Sequence, residues 1–139
     1  MERCRHARLA LNPKKCRFMV PHGRLLGHIV CKEGLKIDPD KVRVILEMQP
    51  STSVTEVKSF LEHIGYYRRF IKNFAKIAYP LDKLTCKAET FKWDKEQDEA
   101  FEGLKVRLAT APILAYPDWS KEFHVHVDAS NYAIGATLA

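Results

Sequence analysis

The chain has 139 residues, 46% of them hydrophobic and 29% charged, which is the length of about one domain and the balance of a folding rather than a disordered sequence. Lysine and arginine number 23 against 17 acidic residues, and the resulting net charge of +6 favours a polyanionic partner, nucleic acid or an acidic protein. Apolar runs are too short for a membrane-spanning helix, the start Met-Glu-Arg-Cys-Arg-His has no apolar signal region, and Cys4, Cys16, Cys31 and Cys86 make no C-x-x-C pair, so the reading is an intracellular chain with free thiols and no membrane partner.

In chain order, Glu2 to Leu9 reads as the last turns of a helix, and Asn12-Pro13 punctuates. Apolar stretches Cys16 to Val20 and Leu25 to Cys31 are separated by Pro21-His22-Gly23, and Lys32-Glu33-Gly34 turns into Leu35-Lys36-Ile37. This predicts two or three short antiparallel strands. Asp38-Pro39 opens a helix containing Val42, Ile45 and Leu46, which Gln49-Pro50 ends. Ser53-x-x-Glu56 is a capping box, with Val57, Phe60, Leu61 and Ile64 as one apolar face behind it, and the helix is expected to run on towards Tyr67 or Phe70 past a weak point at Gly65. Phe74, Ile77, Ala78, Leu81 and Leu84 form another face, interrupted by Pro80. Asp94 caps a further helix with Gln97, Ala100, Phe101, Leu104 and Leu108 on one side, and Pro112 stops it. Ile113 to Tyr116 reads as a strand and Pro117-Asp118-Trp119 as a turn. Phe123 to Asp128 alternates as a strand and Asn131 to Ala139 as its return. Both ends of the pattern look cut. The class is α+β.

Three features could carry chemistry. From Tyr66 to Lys76, aromatics interleave with Arg68, Arg69, Lys72 and Lys76; cations can meet phosphates and rings can stack on bases or sugars. Pattern alone favours the plainer alternative, an amphipathic helix with core aromatics and solvated cations, in which Arg68 and Lys72 share a face. His124, His126 and Asp128 alternate along one strand face, which suits a metal site, a single Mg²⁺-binding carboxylate at Asp128, or simply an exposed polar face, the last being favoured for the histidines. Gly27, inside Leu25-Leu26-Gly27-His28, marks either a structural bend or a close approach of a ligand.

An ordered series of landmarks goes further. Leu11-Asn12-Pro13-Lys14-Lys15-Cys16-x-Phe18, Leu26-Gly27-His28-Ile29-Val30 and Gly34-Leu35-Lys36-Ile37-Asp38-Pro39 come first, followed by Ser59-Phe60-Leu61 and Gly65-Tyr66-Tyr67-Arg68-Arg69-Phe70-Ile71. Phe91-x-Trp93, Ala111-Pro112-Ile113-Leu114 and Val127-Asp128-Ala129-Ser130 complete it. The chain resembles the Pol polyprotein of gypsy-type LTR retrotransposons, plant elements in particular. The resemblance implies a palm end with a primer-grip-like hairpin and first helix over residues 1–50. It implies thumb and connection helices over 51–112, and the first strands of an incomplete RNase H-like sheet over 113–139. Leu26, Gly27 and His28 would grip the primer terminus, and Tyr66, Tyr67, Arg68, Arg69, Lys72 and Lys76 would meet the template–primer duplex. Asp128 would be the first catalytic and metal-binding carboxylate of the RNase H-like site. The parent would be an RNA-directed DNA polymerase and hybrid ribonuclease using Mg²⁺. This chain has no Y-x-D-D and one such carboxylate, so neither turnover nor tight metal binding is expected of it alone, and it has no small-molecule substrate of its own. The partners implied are an RNA:DNA or DNA duplex and the rest of the polyprotein. Glu62 stands where the family has glycine, which implies disturbed thumb packing or repulsion of a nearby phosphate. The alternative is a non-catalytic duplex-binding module.

Overall fold

The computed structural model describes residues 2–86, 90–129 and 134–138. A five-residue helix, α1 (Glu2–His6), comes first. Strands β1 (His22–Leu25), β2 (His28–Cys31) and β3 (Gly34–Ile37) then form an antiparallel sheet in the order β1-β2-β3. Pairing of Leu25 with His28 and of Cys31 with Gly34 leaves two-residue connections, Leu26-Gly27 and Lys32-Glu33. Residues 16–20, expected as a strand, form none, and His22 and Gly23 belong to β1 instead of separating strands. The run Leu25 to Cys31 is split by a turn, with φ of 48° at Leu26 and 73° at Gly27. Positive φ at both positions is what the tight I′ hairpin loop requires, and leucine adopts it at a cost of roughly 1–2 kcal/mol.

The helices start where their side chains satisfy free N–H groups. Asp38 accepts from the Asp40 N–H at 3.1 Å, and Pro39 occupies the first position of α2 (Pro39–Leu46). Ser53 Oγ accepts from the Glu56 N–H at 3.3 Å at the start of α3 (Val54–Gly65). The Glu56 carboxylate reaches back to Thr52, accepting from its N–H at 2.6 Å and its hydroxyl at 3.0 Å. These bonds hold the carboxyl below its ordinary range. Contrary to expectation, α3 stops at Gly65. A 3-10 turn spans Arg68–Phe70, and Asn73 takes φ 60° before α4 (Phe74–Leu84) begins. Asparagine tolerates that left-handed conformation better than most residues, so it separates the two helices at low cost. Pro80 lies inside α4 and lacks the N–H for one helical bond. The Asp94 N–H donates to Gln97 Oε1 at 3.2 Å at the start of α5 (Lys95–Ala109).

The core belongs to the helices. Phe60 and Ile64 of α3, Ala78 and Leu81 of α4, and Phe101, Leu104 and Leu108 of α5 are buried together with Ile45 of α2. Leu35 and Ile37 of β3 pack on its margin. Phe101 sits at the centre, its ring 4.4 Å from that of Phe60 and 5.7 Å from that of Trp93. The Lys105 ammonium lies 4.2 Å above the Phe101 ring and donates to the Met48 carbonyl at 2.6 Å. A buried lysine is stabilised by that pairing and ties α5 to the connection after α2.

After α5, the expected strand at residues 113–116 is a single bridge. Leu35 and Leu114 exchange backbone bonds of 2.8 and 3.0 Å, and Tyr116 Oη donates to the Gly34 carbonyl at 3.2 Å. Gly34 has φ 140°, and a Cβ there would collide with the Leu114 carbonyl. The last pair of strands is β4 (Val125–Ala129) with β5 (Ile134–Leu138), antiparallel. Phe123 and His124 precede β4 instead of joining it, and residues 131–133 and 139 of the expected return lie outside the described residues.

Phe101→Ala should lower the unfolding free energy by about 3–5 kcal/mol in a urea titration, because the cavity would open against two other rings. A second outcome follows from Glu56. Its folded pKa lies below the unfolded value of 4.5, so its contribution is present above that value and lost as pH falls through the folded one. Glu56→Gln should therefore flatten the acid-side fall of the urea midpoint between about pH 5 and pH 3.

Candidate nucleic-acid interface

The hairpin β1–β2 and the segment that follows α3 meet at one point. His28, the first residue of β2, is 5% exposed. Its ring is stacked on Phe70 with centroids 5.7 Å apart, edge-on to Tyr67 at 5.5 Å and tilted to Tyr66 at 5.3 Å. The Nδ1–H tautomer donates to the Leu26 carbonyl at 2.9 Å, leaving Nε2 a buried acceptor with no hydrogen-bond partner among the described residues. His28 therefore faces inward, while Leu26 at the tip of the same hairpin is 79% exposed.

Two phenols hold that tip. Tyr66 Oη donates to the Leu26 carbonyl at 2.6 Å, and Tyr67 Oη donates to the Gly27 carbonyl at 3.2 Å. The Gly27 carbonyl also accepts from the Asp38 N–H at 3.2 Å. Neighbouring residues on a continuous helix point about 100° apart. The end of α3 at Gly65, and the non-helical Tyr67 (φ −100°, ψ 11°), allow consecutive tyrosines to reach one turn. Burial, with Tyr66 and Asp38 adding to it, pushes the Tyr67 phenol up from its ordinary value near 10, so it remains a donor. Gly27 is both a bend and a close approach: a Cβ there would lie 2.9 Å from Tyr67 Oη. The approaching group is the protein's own phenol. On the far side of the hairpin, Arg24 of β1 reaches Asp40 at 2.6 Å and Asp38 at 3.6 Å, tying the strand to the start of α2.

A groove of about 560 Å³ lies between the hairpin tip, α2 and α3. Lys41, Val44, Glu62, His63 and Tyr66 line it with Leu26. Glu62 is exposed on an unbroken α3, and Phe60 and Ile64 beside it are buried, so the expected disturbance of packing does not occur. Sequence reading missed Lys41 and His63 here, because three elements distant in sequence build the groove and no local pattern announces it.

Arg68, Arg69, Lys72 and Lys76 are all exposed, with no carboxylate partner among the described residues. They do not form one helical face. Arg68 and Arg69 lie in the 3-10 turn, Lys72 lies in the link to α4, and Lys76 lies in its first turn. The aromatics divide: Tyr67 and Phe70 are core, while Tyr66 is 49% exposed. Asp128 occupies β4 opposite Gly135, and its side chain lies outside what the structure describes. Among the described residues no group of three or more His, Cys, Asp or Glu could hold a metal ion, and His124 and His126 join no such cluster. The described residues thus do not fit a two-metal hydrolytic centre, and no step through Mg²⁺ is assigned to them.

Gly27→Ala should cost about 1–2 kcal/mol in denaturant stability from its positive φ alone. The steric part of the loss should shrink in a Tyr67→Phe background, where the colliding oxygen is gone.

Residues 93–139 match the RNase H-like domain found in reverse transcriptase. The chain is 42% identical over 144 residues to the retrovirus-related Pol polyprotein from transposon opus of Drosophila melanogaster, an alignment covering 96% of the chain and 14% of that polyprotein. The chain thus spans a small part of such relatives. An uncharacterized mitochondrial protein of Arabidopsis thaliana is 39% identical over 124 residues, with 88% of the chain and 78% of that protein covered. The structure of the foamy viral protease-reverse transcriptase in complex with RNA/DNA hybrid superimposes with a TM-score of 0.73 at 22% identity, over 91% of the chain and 20% of that structure. The α+β fold is thus one shared with a reverse transcriptase.

Proposed function

The chain belongs to the retrovirus-related Pol polyproteins of transposons, as a segment with an RNase H-like region of reverse transcriptase, and from that membership we propose that it grips a template–primer duplex for the parent enzyme. The observation that carries this reading is the junction at the hairpin tip. Leu26 and Gly27 are fixed to the peptide segment that continues directly into Arg68, Arg69, Lys72 and Lys76, four exposed cations without carboxylate partners among the described residues. Exposed cations that follow in the chain from the residues holding an apolar tip suit a phosphate backbone flanked by sugar edges.

The finer assignments belong to the same proposal. The parent element is of gypsy type and plant-like, which the ordered landmark series supports. The parent uses Mg²⁺ for polymerisation and hybrid cleavage, with Asp128 as one carboxylate of the second site. Residues 1–50, 51–112 and 113–139 correspond to palm end, thumb and connection, and RNase H-like start. The parent works inside the cell, in a particle or the nucleus.

Fluorescence anisotropy with labelled RNA/DNA hybrid and double-stranded DNA tests the grip. The logarithm of affinity should fall linearly with the logarithm of salt concentration, by about 0.9 per phosphate neutralised on B-DNA, and Arg69→Ala should reduce that slope by about one phosphate. Binding that is absent at low salt, or indifferent to salt, overturns the reading. Primer extension and hybrid cleavage by the 139 residues alone should both be undetectable with Mg²⁺ present. Turnover in either assay would show an active site that the described residues do not contain.

A further inference from the structure

We propose that Tyr66 and Tyr67 are positioning residues, whose hydroxyls place the Leu26–Gly27 tip so that it and the cations of residues 68–76 meet one duplex as a single rigid surface. The inference rests on the duplex-gripping reading and changes what the two tyrosines do within it. Side by side with basic residues, tyrosines read as stacking platforms for bases or sugars. Their geometry here is different. Tyr67 is 4% exposed, so its ring is not available to a ligand. The Tyr66 ring is packed edge-on against Tyr67 at 5.0 Å and tilted against His28 at 5.3 Å. Both hydroxyls are committed to backbone carbonyls of the hairpin turn.

The most exposed apolar surface at the tip is leucine. Leu25 is 60% and Leu26 79% exposed. Leu26 holds φ 48°, a conformation that a leucine adopts only under constraint. The constraints on its carbonyl are Tyr66 Oη and His28 Nδ1. Without the phenol, the turn loses its shortest bond to the helical body and the tip is free to relax. The tip and the cations are weak contacts separately. Joined rigidly, the second forms at a high effective concentration once the first is made. A hydroxyl that sets this join contributes to affinity without touching nucleic acid.

Phenylalanine keeps the ring and removes the hydroxyl, which separates the two roles. With the full chain and a labelled RNA/DNA hybrid, Tyr66→Phe and Tyr67→Phe should each weaken binding roughly threefold to tenfold, the range of one lost hydrogen bond. The salt slope should stay at its native value, whereas Arg69→Ala should lower it. A double-mutant cycle supplies the readout that mere stabilisation would not move. Leu26→Ala should weaken binding in the native background and have little further effect in Tyr66→Phe, because a released tip no longer presents that side chain. Native affinity in both phenylalanine variants overturns the inference while leaving the duplex reading intact. So does an equal loss from Leu26→Ala in both backgrounds. If the native chain fails to bind the hybrid, the duplex reading falls and the inference falls with it. Tyr66 is 49% exposed, so Tyr66→Phe carries the test even if Tyr67→Phe does not fold.

Discussion

Everything at the hairpin end of the molecule depends on two backbone carbonyls, those of Leu26 and Gly27, being held by donors from elsewhere in the chain. Three strands of four residues each make a sheet too small to stand by its own ladder. It is stabilised by attachments to the helical body: the two phenols at the tip, the Asp38 N–H, the Arg24 pairs with Asp38 and Asp40, and the Leu114 bridge. The Arg24 side chain is itself exposed, and its pair with the exposed Asp40 contributes modestly, while Asp38 is buried. The bonds to the carbonyls act on the turn itself, and they set where the tip points.

The helical body can bear this load because its own core is continuous. Phe60, Ile64, Leu81, Phe101 and Leu104 are essentially inaccessible to water, and Lys105 closes the margin by capping the Met48 carbonyl. Phe70 belongs both to this core and to the box around His28, so one side chain links the interior to the hairpin. That continuity separates scaffold from surface over residues 66–76. Tyr67, Phe70 and Ile71 point inward, and the cations interleaved with them are left outside.

The features legible in the sequence were those with a local cause. Asp38-Pro39, Ser53 with Glu56, and Asp94 announce their helices through bonds between residues at most three apart, and at Asp94 the partner is Gln97, a residue the pattern assigns to the apolar face. The helical apolar faces were legible for the same reason. At the tip, Gly27 signals a bend, but leucine is no turn former, so the positive φ that the two-residue loop requires of Leu26, and the phenol 40 positions away that holds its carbonyl, have no local signal. The sequence pattern runs α3 on towards Tyr67 or Phe70 because aromatic and basic residues recur there at helical spacing, whereas the helix ends at its weak point, Gly65, and Asn73 separates it from α4. Of the candidate site, the interleaving of the cations with both tyrosines is visible in the sequence order. The inward turn of His28 and the groove with Lys41 and His63 had no local signature, since each needs elements brought together by the fold.

The Leu114 bridge has a kinetic consequence. The outer edge of β3 is closed by residues that follow it by about eighty positions: Leu114 through its backbone, and Tyr116, 82 positions after Gly34, through its hydroxyl. A chain emerging from the ribosome therefore exposes that edge throughout the synthesis of the four longer helices. Contacts of such long sequence separation form late and slow folding. Until they form, the unpaired strand can pair with any extended segment within reach, including the same strand of another nascent copy. Gly34, lacking a side chain, leaves room for the correct late arrival, and that same openness is the hazard of the wait.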